Sequence, residues 1–516
     1  MIWICEIKSM QENGTSEVKR TAPAGLRRKI KRVRAKRRRR KLDKRARQWA
    51  GALEMTGGGS GLIGAAGVPL LRLLAELSGL RGRLSGALAR RDFAPGHDRG
   101  QVLIDVAVGL AMGVTSVAGA VREVAQAEPV TGAIAAPVTA WRALTELDAA
   151  ALDKIASARA AHRRQIWDHL AKRPEGFPWV QVAGQIWQGW IVLDVDATLV
   201  ECHSDKQGAA PTYKRHIFGL HPLWVRCANT GEHLAAELRR GNAGSNTVAD
   251  HLTVLKAAIG QLPARYRRKV IFRVDGAGAT KELLTWIKDE AAARGHDWRY
   301  VVGFAVTEPV RQAIVKVPAK AWTAALTPGD TIRAGARVTD ITGLLTLAED
   351  WPQGMRVLAR TEPLHPRHHK NASDLEKRRG QRFCATATDL PGHHYPRLEV
   401  FARQHAVVED GIKDAKNLGL RAFPFHAFAA NQAWCLVVTL AADLLAWLRL
   451  LALDHHAQLR TATPATLRQR LLKVPARLVR RARKRLIRLP EDHPGAADLI
   501  LAWSKIRTLA TATSPP

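Results

Sequence analysis

Apolar residues in the first third of the chain recur with the three- and four-residue spacing of amphipathic helices. The clearest runs are Leu70, Leu71, Leu73, Leu74 and Leu77, followed by Val102, Leu103, Val106 and Leu110. Pro137 opens a further helix, since proline is tolerated in a first turn. We therefore predict an all-helical region over 66–172. Short helices joined by glycines suit a helix-turn-helix-like DNA-binding domain and a plain helical bundle equally well.

The pattern changes between residues 187 and 304, where apolar strand-like runs alternate with helical spacing. The predicted order is β-β-β-α-β-α-β, which indicates a mixed sheet with helices packed against it. Thr247 and Asp250 resemble a capping box at the start of the first of these helices. The segments are 187–200, 217–228, 233–239, 247–259, 269–274, a helix from 280, and 298–305.

Residues 306–397 are irregular, with strand-like stretches at 355–360 and 382–388. Helical spacing returns from Leu398 to Ala415, and Gly419 is a natural helix C-cap. Residues 428–453 predict a long buried helix. Polar residues interrupt the two apolar stretches that could suggest a membrane span, 102–120 and 422–442, so neither offers roughly 20 clean apolar residues.

The charge is concentrated at two places rather than spread along the chain. The 516 residues carry a net charge of +34; residues 19–47 contribute +16, residues 460–488 contribute +11, and the remainder only +7. Such blocks favour a polyanionic partner. They lack the apolar partner face of a membrane-surface helix, so DNA is preferred over an acidic membrane.

The cysteines and histidines do not indicate a disulfide framework or a zinc site. Five cysteines stand singly without a CxxC pair, which favours a reducing cytoplasm over a disulfide framework. The histidines over 365–369 and 393–394 lack zinc-ligand spacing, so no zinc site is predicted.

Carboxylates in the body of the chain are the candidate chemical groups. Asp194 and Asp196 lie on one face of a strand, because strand side chains alternate with period two. Asp275 ends another strand and is followed by small residues. Glu409 shares a helix face with His405 and other polar residues. Taken singly, the aspartates fit a solvated strand end and Glu409 fits a salt-bridge ladder. Brought together in so basic a chain, they would suit two hard divalent cations beside phosphodiester DNA.

Several stretches jointly resemble the DDE transposases of bacterial insertion sequences, in the branch with a long insertion before the third acid. The resemblance covers most of residues 56–508. The stretches are LDVDATLVECHSDKQGAAPTYKRHIFGLHPL, LRRGNAGSN, VIFRVDGAGAT, HAVVEDGIKDAKNLGLRAFPFHAFAANQAW and RTATPATLRQRLLKVPARLV.

The resemblance assigns roles to individual residues. It implies Asp196, Asp275 and Glu409 as the catalytic, metal-holding acids, with Asp194 as the alternative first acid. Lys416, seven residues after the glutamate, matches the family's DNA-contacting lysine. The family's tyrosine and arginine before the glutamate are replaced here by Ala402 and His405. The residues expected to contact DNA are Lys416, Lys413, His405, Lys206 and Lys214.

The implied fold is α/β: an RNase H-like mixed sheet with flanking helices, an all-helical N-terminal DNA-binding domain and an insertion subdomain. We expect a flexible basic arm and a basic C-terminal segment that takes part in binding DNA ends. The expected boundaries are 1–54 for the arm, 55–180 for the helical domain, 181–305 for the first part of the core, 306–397 for the insertion, 398–455 for the last core helices and 456–516 for a basic helical segment.

The implied activity is cleavage of DNA at the ends of a mobile element and transfer of the freed 3′-OH to target DNA. The resemblance implies two Mg²⁺ ions per site, with Mn²⁺ as a substitute, and no small-molecule cofactor. It also implies a homodimer on paired terminal inverted repeats, target DNA as second substrate, no membrane partner, and a cytoplasmic, nucleoid-associated location in a bacterium. A structure-specific nuclease on the same core and a catalytically silent DNA-binding derivative remain as alternatives.

Overall fold

The computed structural model describes residues 60–513 apart from 92–93, 215, 245–246, 348–350 and 482–483, together with 25, 28–38 and 40–41. The chain divides into two compact units, Met1–Ser60 and Gly61–Pro516. In the first unit, residues 28–38 are helical and exposed. Most of the predicted basic arm lies outside the described residues, so its flexibility stays a prediction.

The second unit begins with the helices that the leucine spacing predicts. Pro137 stands at the start of its helix, as expected. The helices before the sheet are α1 (Gly67–Leu77), α2 (Leu80–Leu88), α3 (Arg99–Ala111), α4 (Val117–Ala125), α5 (Glu128–Thr131), α6 (Pro137–Thr145) and α7 (Ala149–Ala171).

In the described part of the chain, nine strands form one large mixed sheet in the order β12-β13-β14-β15-β11-β10-β4-β8-β9. Strands β4, β10 and β11 are parallel to one another, and β8 runs antiparallel to β4. The members are β4 (Ile191–Ala197), β8 (Leu223–Cys227), β9 (His233–Glu237), β10 (Lys269–Val274), β11 (Asp297–Phe304), β12 (Thr323–Leu326), β13 (Ile332–Asp340), β14 (Arg356–Pro363) and β15 (Gln381–Thr388). The predicted mixed α/β fold with flanking helices is confirmed.

Helices α8 (Val248–Gln261) and α9 (Lys281–Arg294) flank this sheet. The predicted capping box is wrong: Thr247 makes no side-chain cap, and Asp250 pairs with Arg239 Nη1 at 3.4 Å. The remaining helices are α10 (Glu308–Lys316), α11 (Asp374–Arg379), α12 (Tyr395–Arg403), α13 (Val407–Ala415), α14 (Phe428–Ala452), α15 (Pro464–Leu467) and α16 (Ala496–Thr513).

Strands β12 to β15 continue the same sheet from β11 rather than forming a sheet of their own. They come from the segment 306–397, of which β14 and β15 are the strands predicted from the sequence. The assignment of this segment as a separate subdomain stays a prediction.

The C-terminal segment differs from the helical expectation. Between α15 and α16 lies an antiparallel hairpin of β16 (Ala476–Arg481) and β17 (Lys484–Arg488), and β1 (Leu62–Ile63) pairs with β16. Strand β1 lies more than 400 residues before β16 in the sequence, so local spacing does not reveal that the two strands pair.

Two further small sheets are formed by short strands. One pairs β2 (Gln181–Val182) with β3 (Gln185–Ile186). The other pairs β5 (Val200–Glu201) and β6 (Ala210–Pro211) with β7 (Phe218–Leu220).

Helix α14 runs through the middle of the core. It is the one described helix that is long and apolar enough to cross a membrane, but 83% of its most apolar window is buried within the protein. A helix that is apolar on all sides suits the interior of a large domain. The prediction of a buried helix here is confirmed.

A buried ion network joins α7 to α14 and the β8–β9 turn. Arg163 donates to Glu232 and to Asp443, each at 2.7 Å, and Arg159 donates to Asp443 at 2.8 Å. Trp447 Nε1 also donates to Glu232, at 2.8 Å. All four charged side chains are buried. Their burial is tolerated because the two cations and the two anions neutralise one another, and removal of one charge leaves another without compensation.

This network predicts a large stability loss when one charge is removed. Glu232→Gln should lower the free energy of unfolding by about 3 kcal/mol, because it leaves two buried cations, Arg159 and Arg163, with Asp443 as their one buried anion in the network. The control Glu76→Gln, in the more exposed pair with Arg81, should cost less than about 1 kcal/mol. Denaturant titration measures both; similar losses in the two variants would contradict the network's role.

Candidate active site

The first two predicted acids, Asp196 and Asp275, lie side by side at the ends of two neighbouring parallel strands, β4 and β10. Arg273 pairs in register with Asp194 and Val274 with Val195, so Asp196 and Asp275 are each the next residue along. Both lie where the strands approach their carboxyl ends. The sheet register therefore brings these two acids to one edge, although 79 residues separate them in sequence.

The two aspartates of β4 have different surroundings. Asp194 is fully buried, and Arg273 donates to both of its oxygens, at 2.6 and 2.9 Å. A carboxylate held by a bidentate guanidinium serves as its counter-ion. Asp196 is partly buried, and its Oδ1 accepts from the backbone N–H of Ala197 at 2.7 Å. The geometry favours Asp196 over Asp194 as the first acid of a reactive site.

Arg273 also reaches the helix that precedes the third acid. Its Nη1 donates to the carbonyl of Phe401 in α12 at 2.9 Å, and its guanidinium lies 4.9 Å from the centre of the Phe401 ring. One buried cation thus connects β10, β4 and α12.

The helix predicted over 398–415 is divided in the structure. Helix α12 ends at Arg403, a 3₁₀ turn covers Gln404–Ala406, and α13 then carries Glu409. At the turn, His405 Nε2 lies 3.0 Å from the carbonyl oxygen of Val195 in β4. Helix α13 ends at Ala415 and is followed by a π-helical turn over Lys416–Leu420, where the chain leaves helical geometry at Leu418 and at the predicted Gly419, whose φ is +111°.

Electrostatics connect the three acids. Burial, together with the negative charges of Asp275 and Glu409, raises the pKa of Asp196 to about 6, against the opposing influence of His405 and the Ala197 N–H. Asp196 therefore lies within the electrostatic influence of both other predicted acids. Such mutual repulsion is relieved when a cation binds.

The predicted DNA-contacting cations divide into two groups. Lys416 is half-buried, its Nζ donates to the Leu199 carbonyl at 3.2 Å, and burial with the nearby Arg421 and Lys214 lowers its pKa. Lys214 is exposed beside the Tyr213 ring. Lys416 therefore lies within the electrostatic influence of both Lys214 and the Asp196 carboxyl.

The other two lysines lie differently. Lys413 is exposed and bound to Asp410 at 3.0 Å, as in a solvated salt bridge. Lys206 lies in the loop after β5, where its charge acts on Cys202. The charge of Glu409 also acts on Lys413, one helical turn along α13.

Three residues near Asp275 were not singled out by the sequence. Arg239 is buried and donates to the carbonyls of His221 and Gly244 at 2.9 and 3.1 Å. The charge of Asp275 acts on Arg239, His221 and His251. Arg239 lies within LRRGNAGSN, so that motif was the available signal; Ser245 and Asn246 of the same motif lie outside the described residues.

A cavity of about 150 Å³ lies beside the second acid. Asp275, His405 and Ala402 line one part of it, and Arg360 and Glu399 another. The alanine at 402 occupies the position where the resemblance expects a tyrosine, and a small side chain there leaves space next to the acids.

No ready-made metal cage is present in the described part of the chain: no group of three or more His, Cys, Asp or Glu side chains is close enough to hold an ion. Mg²⁺ does not require such a cage, since it commonly takes one or two carboxylates and completes its shell with water and phosphate oxygens. The carboxylate oxygens of Asp196, on which the charges of Asp275 and Glu409 act, are compatible with binding of Mg²⁺ through a few carboxylates and water.

The family model described as "Transposase DDE domain group 1" matches residues 50–511. Among solved structures, the chain is similar to the cryo-EM structure of a piggyBac transposase synaptic complex with hairpin DNA, with 8% identity and a TM-score of 0.33 over 78% of this chain and 79% of that one. No curated protein sequence matches.

The different surroundings of Asp194 and Asp196 predict opposite effects on stability. Asp194→Asn should lower the free energy of unfolding by about 3 to 5 kcal/mol, because Arg273 loses its counter-ion. Asp196→Asn should leave stability unchanged or raised, because it removes a charge repelled by its neighbours. Denaturant titrations in the absence of metal would measure both, and a stable Asp194→Asn variant would contradict the assignment of Asp194 as a counter-ion.

Proposed function

Because the chain belongs to the family of transposases described as DDE domain group 1, a DNA-cleaving and strand-transferring class, we propose that Asp196, Asp275 and Glu409 are the acids that carry out its chemistry. The observation that supports this assignment is the strand register that brings Asp196 and Asp275 to one edge of the sheet, where the charges of Asp275 and Glu409 both act on Asp196. Asp194 is assigned instead as the buried partner of Arg273.

We propose that these acids hold two Mg²⁺ ions, with Mn²⁺ as a substitute. Carboxylate oxygens are the ligands that hard cations prefer, and the like charges around Asp196 favour a bound cation. Such ions, when bound, activate the attacking oxygen and stabilise the leaving one. The protein's own part is to fix Asp196 and Asp275 in strand register and to bring Glu409 towards them on α13.

Cations near the acids are suited to holding the DNA strand. The charge of Asp196 acts on Lys416, and Lys214 lies close enough to Lys416 to influence it; the positive charge of both lysines attracts phosphates. His405 faces the Val195 carbonyl through Nε2; when that nitrogen donates, the proton is held there and the ring orientation is fixed. His405 thereby links the start of α13 to the strand that carries Asp196.

The proposed reaction has two steps at the same acids. Water attacks a phosphorus at the end of the element, the bond from that phosphorus to the 3′ oxygen breaks, and a 3′-OH is released. That hydroxyl then attacks a phosphorus in the opposite strand or in target DNA: a new phosphodiester bond forms, the bond from that phosphorus to the 3′ oxygen of the attacked strand breaks, and that oxygen leaves as a 3′-OH. The protein would act as a homodimer on paired inverted repeats, in the bacterial cytoplasm at the nucleoid.

One incubation distinguishes transposition from the alternatives. Purified protein is mixed with Mg²⁺ and DNA that carries both ends of the element. Paired end cleavage followed by joining to target DNA supports the proposal. Cleavage without joining would indicate a structure-specific nuclease, and binding alone would indicate a silent DNA-binding derivative; either result contradicts it.

Removal of the second acid should separate binding from chemistry. Asp275→Asn should bind DNA ends with unchanged affinity while cleavage falls about a thousandfold or more, since loss of several kcal/mol of transition-state stabilisation costs a factor of ten for each roughly 1.4 kcal/mol. Gel-shift and cleavage assays on the same DNA measure the two effects.

The matched control is Asp289→Asn, which removes an exposed aspartate from α9. It should retain cleavage. Full cutting by Asp275→Asn would overturn the assignment of the acids, and equal losses in both variants would show that the effect is not specific to the site.

Removal of divalent ions should abolish cutting as well. Chelation with EDTA should stop cleavage and leave end binding intact, and added Mg²⁺ or Mn²⁺ should restore it. Cleavage that persists in EDTA would contradict a metal-dependent reaction.

A further inference from the structure

The C-terminal hairpin of β16 and β17, here called the basic ribbon, places positively charged side chains directly opposite one another. Arg477 lies opposite Arg488, Arg480 opposite Arg485, and Arg481 opposite Lys484. These six cations are exposed. Directly opposed side chains in an antiparallel pair are close neighbours, and like charges there are destabilising.

Nothing in the described part of the chain compensates this repulsion. Neither β16 nor β17 contains an acid, and none of the six cations has an ion pair among the described residues. A fold that used these charges for its own stability would place a carboxylate opposite at least one of them. Their arrangement therefore points to an external polyanion.

The ribbon is held to the protein at its base. Leu62 and Ile63 of β1 pair with the first residues of β16, and Leu478 and Ile487, which face each other, pack against the hydrophobic core. Strand β17 forms the free edge of this small sheet. The cations are thus presented on an anchored element rather than on an unattached tail.

Side-chain alternation distributes the charge over both faces of the ribbon. The Arg480–Arg485 pair lies on the face of Leu478 and Ile487, beyond the anchored base, and the other two cationic pairs lie on the opposite face. A two-stranded ribbon has the width to enter the major groove of B-DNA, where the guanidinium fork suits phosphates and guanine edges.

An acidic membrane fits the ribbon less well than DNA. Leu478 and Ile487 are packed against the core, which leaves Val479 and Leu486 as the apolar pair on the outer face. One such pair, flanked by cations, is too small for insertion into the headgroup region.

We propose that the basic ribbon enters a groove of the DNA and that its facing cations are neutralised there by phosphates. This proposal rests on DNA as the partner of the proposed function, but not on the identity of the acids. In the free protein the facing cations of the basic ribbon repel one another, and bound DNA relieves that repulsion.

Two variants test it by equilibrium binding to a duplex with an element end and to an unrelated duplex, both in EDTA so that cutting does not occur. In Arg480→Gln/Arg485→Gln, the slope of log K against log salt should become shallower by about 1.8, at about 0.9 for each lost phosphate contact. The control Arg378→Gln/Arg379→Gln removes the same charge from exposed positions on α11 and should leave the slope unchanged.

The second variant gives opposite readouts for stability and binding. Arg485→Glu places a carboxylate opposite Arg480, so the Tm of the free protein should hold or rise while DNA affinity falls at least about tenfold. A fall in both Tm and affinity would indicate a damaged fold, and the proposal would then depend on the glutamine variant, whose Tm should not fall.

An unchanged salt slope in the glutamine variant, or an equal change in the control, would overturn the proposal. So would a third result, measured with vesicles that contain phosphatidylserine: the unaltered protein binds the vesicles, and the glutamine variant loses that binding while its DNA binding is retained. Failure of the proposed acids has a different signature. In that case Asp275→Asn would continue to cut DNA, whatever the ribbon variants do.

Discussion

The buried guanidinium of Arg273 is the contact on which the candidate active site depends. A cation in the core is tolerated only when its charge and hydrogen bonds are satisfied, and Asp194, the Phe401 carbonyl and the Phe401 ring together satisfy them. Because those partners belong to β4 and α12, the same contact fixes the strands and the helix that lead to the three acids. Asp194 is used in this way, which leaves Asp196 as the acid among like charges.

Much of this arrangement could be predicted from local sequence. The strand 269–274 was predicted with its observed bounds, α14 was predicted as a buried helix, and the alternation of β4 placed Asp194 and Asp196 on one face. These features depend on periodicity and on residues close together in the chain. The proposed acids themselves came from the family resemblance combined with the positions of Asp196 and Asp275 near strand ends and of Glu409 on a later helix.

The remaining features depend on contacts between distant residues. The pairing of Arg273 with Asp194 spans 79 residues, so the sequence left both aspartates open as the first acid. The hairpin at the C-terminus pairs with β1, and its arginines are compatible with a helix as well as a strand. The break between α12 and α13 occurs where His405 contacts β4, which the unbroken apolar spacing from Leu398 to Ala415 does not show.

In the proposed site, Asp196, Asp275 and Glu409 together hold divalent ions. Titration of the DNA-bound protein with Mn²⁺, followed by electron paramagnetic resonance of the free ion, measures this directly. We expect two bound ions in the unaltered protein and weakened binding in Asp196→Asn, Asp275→Asn and Glu409→Gln, with Asp289→Asn unchanged. Unaltered Mn²⁺ binding in all three site variants would contradict it.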